Sequence, residues 1–296
     1  MTKPLAAQFG YANVEHQKEL HAYVPMVESW VAQAKQAMAA GADLPAMPVA
    51  PSLPNYNQTK PTALYNAMVH GLVPMALRGA IWYQGESNQS EGMDYFEKKK
   101  ALINGWRSVF ENPDLSFYFV QLAPWKYKGG EQTLPYLWEA QVAAALKVPN
   151  TGMVVTTDIG DVNDIHPRNK QDVGKRLSLW ALAKNYGKKD LVYSGPIYQS
   201  MSVEGNRIRL VFDHAVGGLK ARDGKPLTDF TIAGEDGKFV PAEAEIDGET
   251  VLVTAAQIPA PKHVRFGWHH MINPNLCNQT GLPASPFKTD KWLEGK

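Results

Sequence analysis

Asp158, Asp161, Asp164 and His166 fall within one short stretch, Asp158-Ile159-Gly160-Asp161-Val162-Asn163-Asp164-Ile165-His166-Pro167. A carboxylate beside an imidazole holds the ring in one tautomer and stabilises its protonated form, which is what the general base of a hydrolase needs. The stretch follows an apolar run, Met153-Val154-Val155, and so reads as a loop at the end of a strand. Two other uses of these residues stay open: aspartates that cap the next helix, and a hard-cation site built from Asp158, Asp161, Asp164 and Glu86. The spacing is not that of an EF-hand. Asp164 stands two residues before His166 and Asp161 five before, while Asn163 occupies the position three before. Either aspartate is a candidate to orient the ring.

The other histidines carry weaker signals. His269 and His270 are adjacent, so on a strand they point to opposite faces and hold one metal between them poorly. His70 lies in a helical pattern and is expected to be packed. His214 has no evident partner.

A second polar cluster, Trp82-Tyr83-Gln84-Gly85-Glu86-Ser87-Asn88, also follows a strand-like run. Its amides, between Gln84 and Asn88, could donate to a developing oxyanion, where one donor is worth about 3–4 kcal/mol. Glu86 adds a carboxylate. Ser87 is a weak candidate nucleophile. The strand-turn-helix elbow asks for glycine two residues to either side, and Gly85 and Gln89 stand there. Trp82 and Tyr83 are candidate sugar-stacking rings or core residues.

The elements that must position these clusters follow from periodicity. Residues 11–40 read as helical, with a break or kink expected at Pro25 and a stop at Gly41. Residues 45–61 are proline-rich and read as a surface linker. From 62 onward, helices (62–76, 93–110, 133–146, 169–186) alternate with strands (79–83, 116–122, 152–157). That alternation predicts a parallel sheet in a layered α/β domain whose working loops leave the carboxyl ends of the strands. Both polar clusters sit at such ends.

After residue 192 the period changes to two. Ile208, Leu210 and Phe212 alternate with Arg207 and Arg209, and the runs 230–232, 251–253 and 264–266 are strand-like. Asp223-Gly224, Asp236-Gly237 and Asp247-Gly248 are turn signals between them. The expected division is therefore 1–61, a helical insert and linker; 62–192, the α/β catalytic region; and 193–296, a β-sandwich-like module.

Composition removes several classes. The 296 residues carry a net charge of +1 with no basic block, so neither nucleic acid nor an anionic membrane is indicated as a partner. The single Cys277 excludes an intrachain disulfide and a multi-cysteine metal site. No apolar run is long enough to span a bilayer, and no signal-peptide core follows Met1. No cofactor is indicated.

Taken together, Arg78-Gly79-Ala80-Ile81-Trp82-Tyr83-Gln84-Gly85-Glu86-Ser87-Asn88 and the run Asp158 through Lys170 resemble the sialate O-acetylesterases, which are SGNH-type hydrolases. Residues 63–68, 230–234 and 281–287 extend the resemblance over nearly the whole chain. It implies a three-layer, flavodoxin-like parallel sheet with a C-terminal antiparallel β module. It also implies hydrolysis of acetyl esters on sugar hydroxyls through an acyl-serine. His166 would be base and then acid, with Asp164 or Asp161 behind it, and Gln84, Gly85, Glu86 and Asn88 would line the oxyanion and acetyl region. The substrate would be an acetylated sugar or glycan, and the resemblance suggests a periplasmic or secreted protein.

One departure is large. The family carries its nucleophilic serine in a Gly-Gln-Ser-Asn turn after the first strand, and no such turn occurs here. The chain thus resembles the back portion of such an esterase, with base present and nucleophile absent. In the strand order 2-1-3-4-5, strand 79–83 would be third and would lack a neighbour, which invites pairing with another chain. A separate N-terminal chain that completes the sheet is therefore an expected partner. The alternatives are a non-catalytic carbohydrate-binding pseudoenzyme and a metal-dependent hydrolase using the Asp158–His166 loop.

Overall fold

A computed structural model describes residues 3–51, 62–128 and 130–294; in the first helix, side chains are described for Val14 and from His16 on. It divides into two compact units, 1–75 and 76–296.

The first unit is dominated by α1 (Lys3–Ala40), a 38-residue helix that ends at Gly41. The break expected at Pro25 does not occur: the proline lies inside the helix. Proline removes one i→i−4 bond, but Pro25 is exposed, so water can satisfy the carbonyl it leaves behind. The chain after the helix, 42–51, folds back along it without regular structure, tied by Trp30 Nε1 to Pro45 O (2.8 Å) and Tyr23 Oη to Pro48 O (3.1 Å). The rest of the expected linker, 52–61, lies outside the described residues.

The helix expected over 62–76 is also corrected. It is a π-helical turn, Tyr65–Val69, followed by a 3-10 turn, His70–Leu72. No residue of either turn is buried, so no packing face holds a regular helix, and Gly71 and Pro74 weaken one further. His70 is correspondingly exposed, against the packed position expected for it.

In the second unit, β1 (Gly79–Trp82), α2 (Asp94–Val109), β2 (Ser116–Val120), α3 (Thr133–Lys147), β3 (Thr151–Val154) and α4 (Lys170–Lys184) alternate. The strands pair in parallel in the order β1-β2-β3. All five residues of β2 are buried, as a strand covered on both faces requires. On one face Phe117, Phe119 and Met153 pack with Ile103 of α2 and Val142 and Ala144 of α3. On the other, Tyr118, Val120 and Val154 pack with Val173, Leu177 and Trp180 of α4. The result is three layers. Among the described strands, β1 pairs with β2 alone; its outer edge is open and Ile81 is 69% exposed.

The remaining strands are β4 (Ile197–Glu204), β5 (Arg207–Asp213), β6 (Leu219–Ala221), β7 (Phe230–Ala233), β8 (Val240–Pro241), β9 (Glu243–Asp247), β10 (Thr250–Thr254), β11 (His263–Phe266), β12 (Leu276–Asn278) and β13 (Phe287–Lys288). They form two four-stranded sheets, β4-β5-β10-β9 and β13-β11-β7-β8, and the pair β12-β6. Ile208, Leu210, Val251 and Val253 from one sheet meet Phe230, Ile232, Val264 and Phe266 from the other in one core. That shared core makes the module a β-sandwich. It joins the α/β layers through Gln121 Nε2 donating to Ser285 Oγ (2.9 Å) and the buried Lys288–Glu139 pair (3.4 Å).

Candidate active site

The loops that leave β1, β2 and β3 lie together at the carboxyl end of the parallel sheet. The first begins at Tyr83. Gly85 has φ +154°, a backbone conformation that L side chains rarely adopt, and a Cβ there would lie 3.2 Å from Tyr95 Oη and 3.3 Å from Leu122 Cδ1. Glycine is thus required twice over, by conformation and by space. Tyr95 Oη donates to Gln84 O (2.8 Å), Gln84 Nε2 donates to Asn88 Oδ1 (2.8 Å), and Gly85 N donates to Glu86 Oε2 (3.0 Å). A side-chain amide has two N–H donors, and Asn88 takes one from Gln84. Ser87 is exposed on the short 3-10 turn Glu86–Asn88.

Burial first, and the Glu86 charge second, push the Tyr83 phenol up to about 12. Burial likewise raises Tyr95 and Tyr127, with Glu86 contributing to both. These phenols remain protonated donors around one carboxylate at neutral pH.

The loop after β3 is tied from below and from within. Asp158 is gripped by the Arg176 guanidinium, Nη1 to Oδ1 at 2.7 Å and Nη2 to Oδ2 at 2.6 Å, and Arg176 Nη1 also donates to Val155 O (2.6 Å). With both oxygens held by a buried arginine, Asp158 is committed to holding the loop, which leaves the hard-cation arrangement without one of its ligands. Asp161 Oδ1 accepts from Asn163 N (2.9 Å), Asp164 N donates to Asp161 O (3.0 Å), and Asp164 Oδ1 accepts from His166 N (2.9 Å). These are consecutive Asx turns, in which a short carboxylate stands in for a backbone acceptor. Asn169 caps α4 by accepting from Asp172 N (3.1 Å) and donating to Asp172 Oδ2 (2.8 Å).

His166 therefore stands exposed on a firmly tied loop, and its ring makes no hydrogen bond to any described residue. Asp161 and Asp164 are spent on the backbone around it rather than on the imidazole. The two polar loops meet through Lys170, whose Nζ lies 4.6 Å from the centre of the Tyr83 ring. The third loop, after β2, lies against the His166 loop: a Cβ at Gly160 would lie 3.1 Å from Pro124 Cδ and 3.2 Å from Ala123 Cβ.

Several residues here escaped the sequence reading. Arg176 is 18 positions from Asp158, and nothing local marks the pair. Trp125 and Tyr127, by contrast, follow a predicted strand at its working end, and that placement was a usable signal. His214 proves to have partners: it packs edge-on against Tyr193 (ring centres 5.3 Å) and Trp180 (6.4 Å), and burial lowers its affinity for a proton. His269 and His270 are edge-on to each other at 5.1 Å, with His269 paired to Glu131 (3.2 Å).

A three-layer parallel sheet with a histidine-bearing loop and an amide-rich turn at its carboxyl end, followed by a β module, has the architecture of an SGNH-type carbohydrate esterase. Residues 50–182 match the family model described as carbohydrate esterase, sialic acid-specific acetylesterase. The chain is 34% identical to sialate O-acetylesterase of Homo sapiens, over 88% of this chain and 56% of that protein. It is 30% identical to the Mus musculus enzyme of the same name, over 81% and 49%. A crystal structure of a carbohydrate acetylesterase from Xanthomonas citri superposes with TM-score 0.75 and 42% identity, covering 79% of this chain and 56% of that one. The chain belongs to the sialate O-acetylesterase family, and it spans about half the length of the curated relatives it matches.

Proposed function

We propose that this chain carries the general-base half of a carbohydrate O-acetylesterase, which hydrolyses acetyl esters on sugar hydroxyls. The observation that supports this most is His166: an exposed imidazole on a loop tied by Arg176–Asp158 and by two Asx turns, at the same end of the sheet as the Gln84–Asn88 turn. In this reading His166 takes the proton of a serine hydroxyl as the serine attacks the acetyl carbonyl. It returns that proton to the departing sugar oxygen, then activates water to release acetate from the acyl-serine. In this reading the second carboxylate oxygen of Asp164 or Asp161, the first being held by a backbone N–H, orients the ring. Gln84, with one amide donor uncommitted, faces the oxyanion; Gly85, whose N–H is held by Glu86, keeps the turn tight, and Glu86 and Asn88 hold it.

The nucleophile is proposed to lie outside these 296 residues, on a polypeptide that adds strands at β1. The open edge of β1 and the exposed Ile81 support that reading. Release of acetate from O-acetylated N-acetylneuraminic acid tests it. With a polypeptide that carries a Gly-Gln-Ser-Asn turn and pairs with β1, activity should appear, and His166→Ala should lower it about a hundred- to ten-thousand-fold. Undiminished hydrolysis by the His166→Ala protein would remove His166 from the mechanism.

A further inference from the structure

We propose that Trp125 is the platform on which the sugar ring of the substrate stacks, which makes it a specificity-determining residue; this rests on the acetylesterase reading above. Trp125 lies on the loop between β2 and α3, and the base of that loop is pinned. Trp138 Nε1 donates to Leu122 O (2.7 Å), Leu122 N donates to Gln141 Oε1 (3.1 Å), and Thr156 Oγ1 donates to Gln121 O (2.9 Å). Tyr127 fixes the indole from one side. Its buried ring stands edge-on at 4.7 Å and 84°, and Tyr127 N donates to Trp125 O (2.9 Å).

The position of the indole matches the chemistry. Trp125 packs on the same apolar cluster as Ile165, the residue before His166, and as Tyr83 at the head of the β1 loop. It therefore sits where the loops bearing the base, the amide-rich turn and the aromatic pair converge. Ile272 of the β module packs on that cluster too, and His270 N donates to Glu131 O (2.9 Å), which braces the far end of the Trp125 loop.

The indole is only half-buried, and its polar edge has no structural employment. Trp138 and Trp180 donate their Nε1 protons to Leu122 O and Met153 O, whereas Trp125 Nε1 makes no hydrogen bond to a described residue on a partly exposed side chain. A rigid aromatic face with a free N–H at its rim fits a pyranose ring, whose axial C–H groups form an apolar face and whose hydroxyls accept hydrogen bonds.

Binding to the 296-residue chain, read by saturation-transfer NMR and titration calorimetry, tests this without requiring turnover. The probes are O-acetylated N-acetylneuraminic acid and its de-O-acetylated parent. Wild-type chain should bind the acetylated sugar with strong saturation of ring protons. Trp125→Ala should weaken binding about tenfold, with Trp125→Phe between them and the far-UV circular dichroism of both variants that of a folded chain. Undiminished binding by Trp125→Ala, or no binding by wild type, would overturn the proposal. Equal affinity of wild type for both sugars, lost in Trp125→Ala, would uphold the platform while counting against the acetylesterase reading.

Discussion

At the scale of single residues, the site is held by groups that do no chemistry. Arg176 and Asp158, each about 10% exposed at the side chain, form a bidentate pair beneath the His166 loop. Breaking such a pair from one side leaves a buried charge without its partner, so Arg176→Met should destabilise the chain by about 3–5 kcal/mol. Urea denaturation checks the magnitude, and amide exchange should show residues 158–166 losing protection first. Gly85 makes a second case. Alanine there must adopt φ +154° and press on Tyr95 Oη and Leu122, which should cost about 1–3 kcal/mol in the same assay and displace Gln84 from Tyr95. The candidate residues drew notice in the sequence because polar clusters after apolar strands stand out. Their ties were not, because Asp158–Arg176 joins distant positions and the Asx turns depend on backbone angles that composition does not reveal.

At the scale of elements, Lys99 of α2 is the anomaly. It is 2% exposed, its Nζ makes no hydrogen bond to a described residue, and it lies 4.9–5.5 Å from the ring centres of Phe119, Tyr95 and Trp82. Burial pushes its pKa down to about 7, against 10.5 when unfolded. Between those values the unfolded chain binds the extra proton, so stability rises with pH from about 7 to about 10.5. Below 7 both states are charged and the full penalty is present. The span corresponds to roughly 5 kcal/mol. Lys99→Met should therefore stabilise the chain at pH 7, by about 2 kcal/mol or more, and flatten the rise in thermal midpoint between pH 7 and 10. A midpoint that falls on substitution, with the pH dependence unchanged, would mean that Lys99 has a partner.

The helices and strands around Lys99 were readable from period: 93–110 and 133–146 became Asp94–Val109 and Thr133–Lys147. Period failed where packing is weak. Residues 62–76 have apolar residues at helical spacing but bury none of them, and α1 passes through a proline that solvent tolerates. β4 and β9 went unread, since β4 exposes much of its length and β9 has no fully buried residue.

At the scale of the whole molecule, a parallel sheet and a β-sandwich pack into one unit, with the His166 loop at the carboxyl end of the sheet. Among the described strands, β1 has a neighbour on one side only, and its Ile81 is exposed. Such an edge pairs with other chains unless something covers it, so Ile81→Lys should reduce self-association in sedimentation velocity and leave far-UV circular dichroism unchanged. In the proposed function, these residues hold a general base whose nucleophile lies elsewhere. Intact-protein mass spectrometry after incubation with a fluorophosphonate tests it most directly, with wild type and His166→Ala side by side. The chain by itself should stay unlabelled in both proteins. A phosphonylated serine within these residues, Ser87 above all, whose labelling vanishes in His166→Ala, would contradict it.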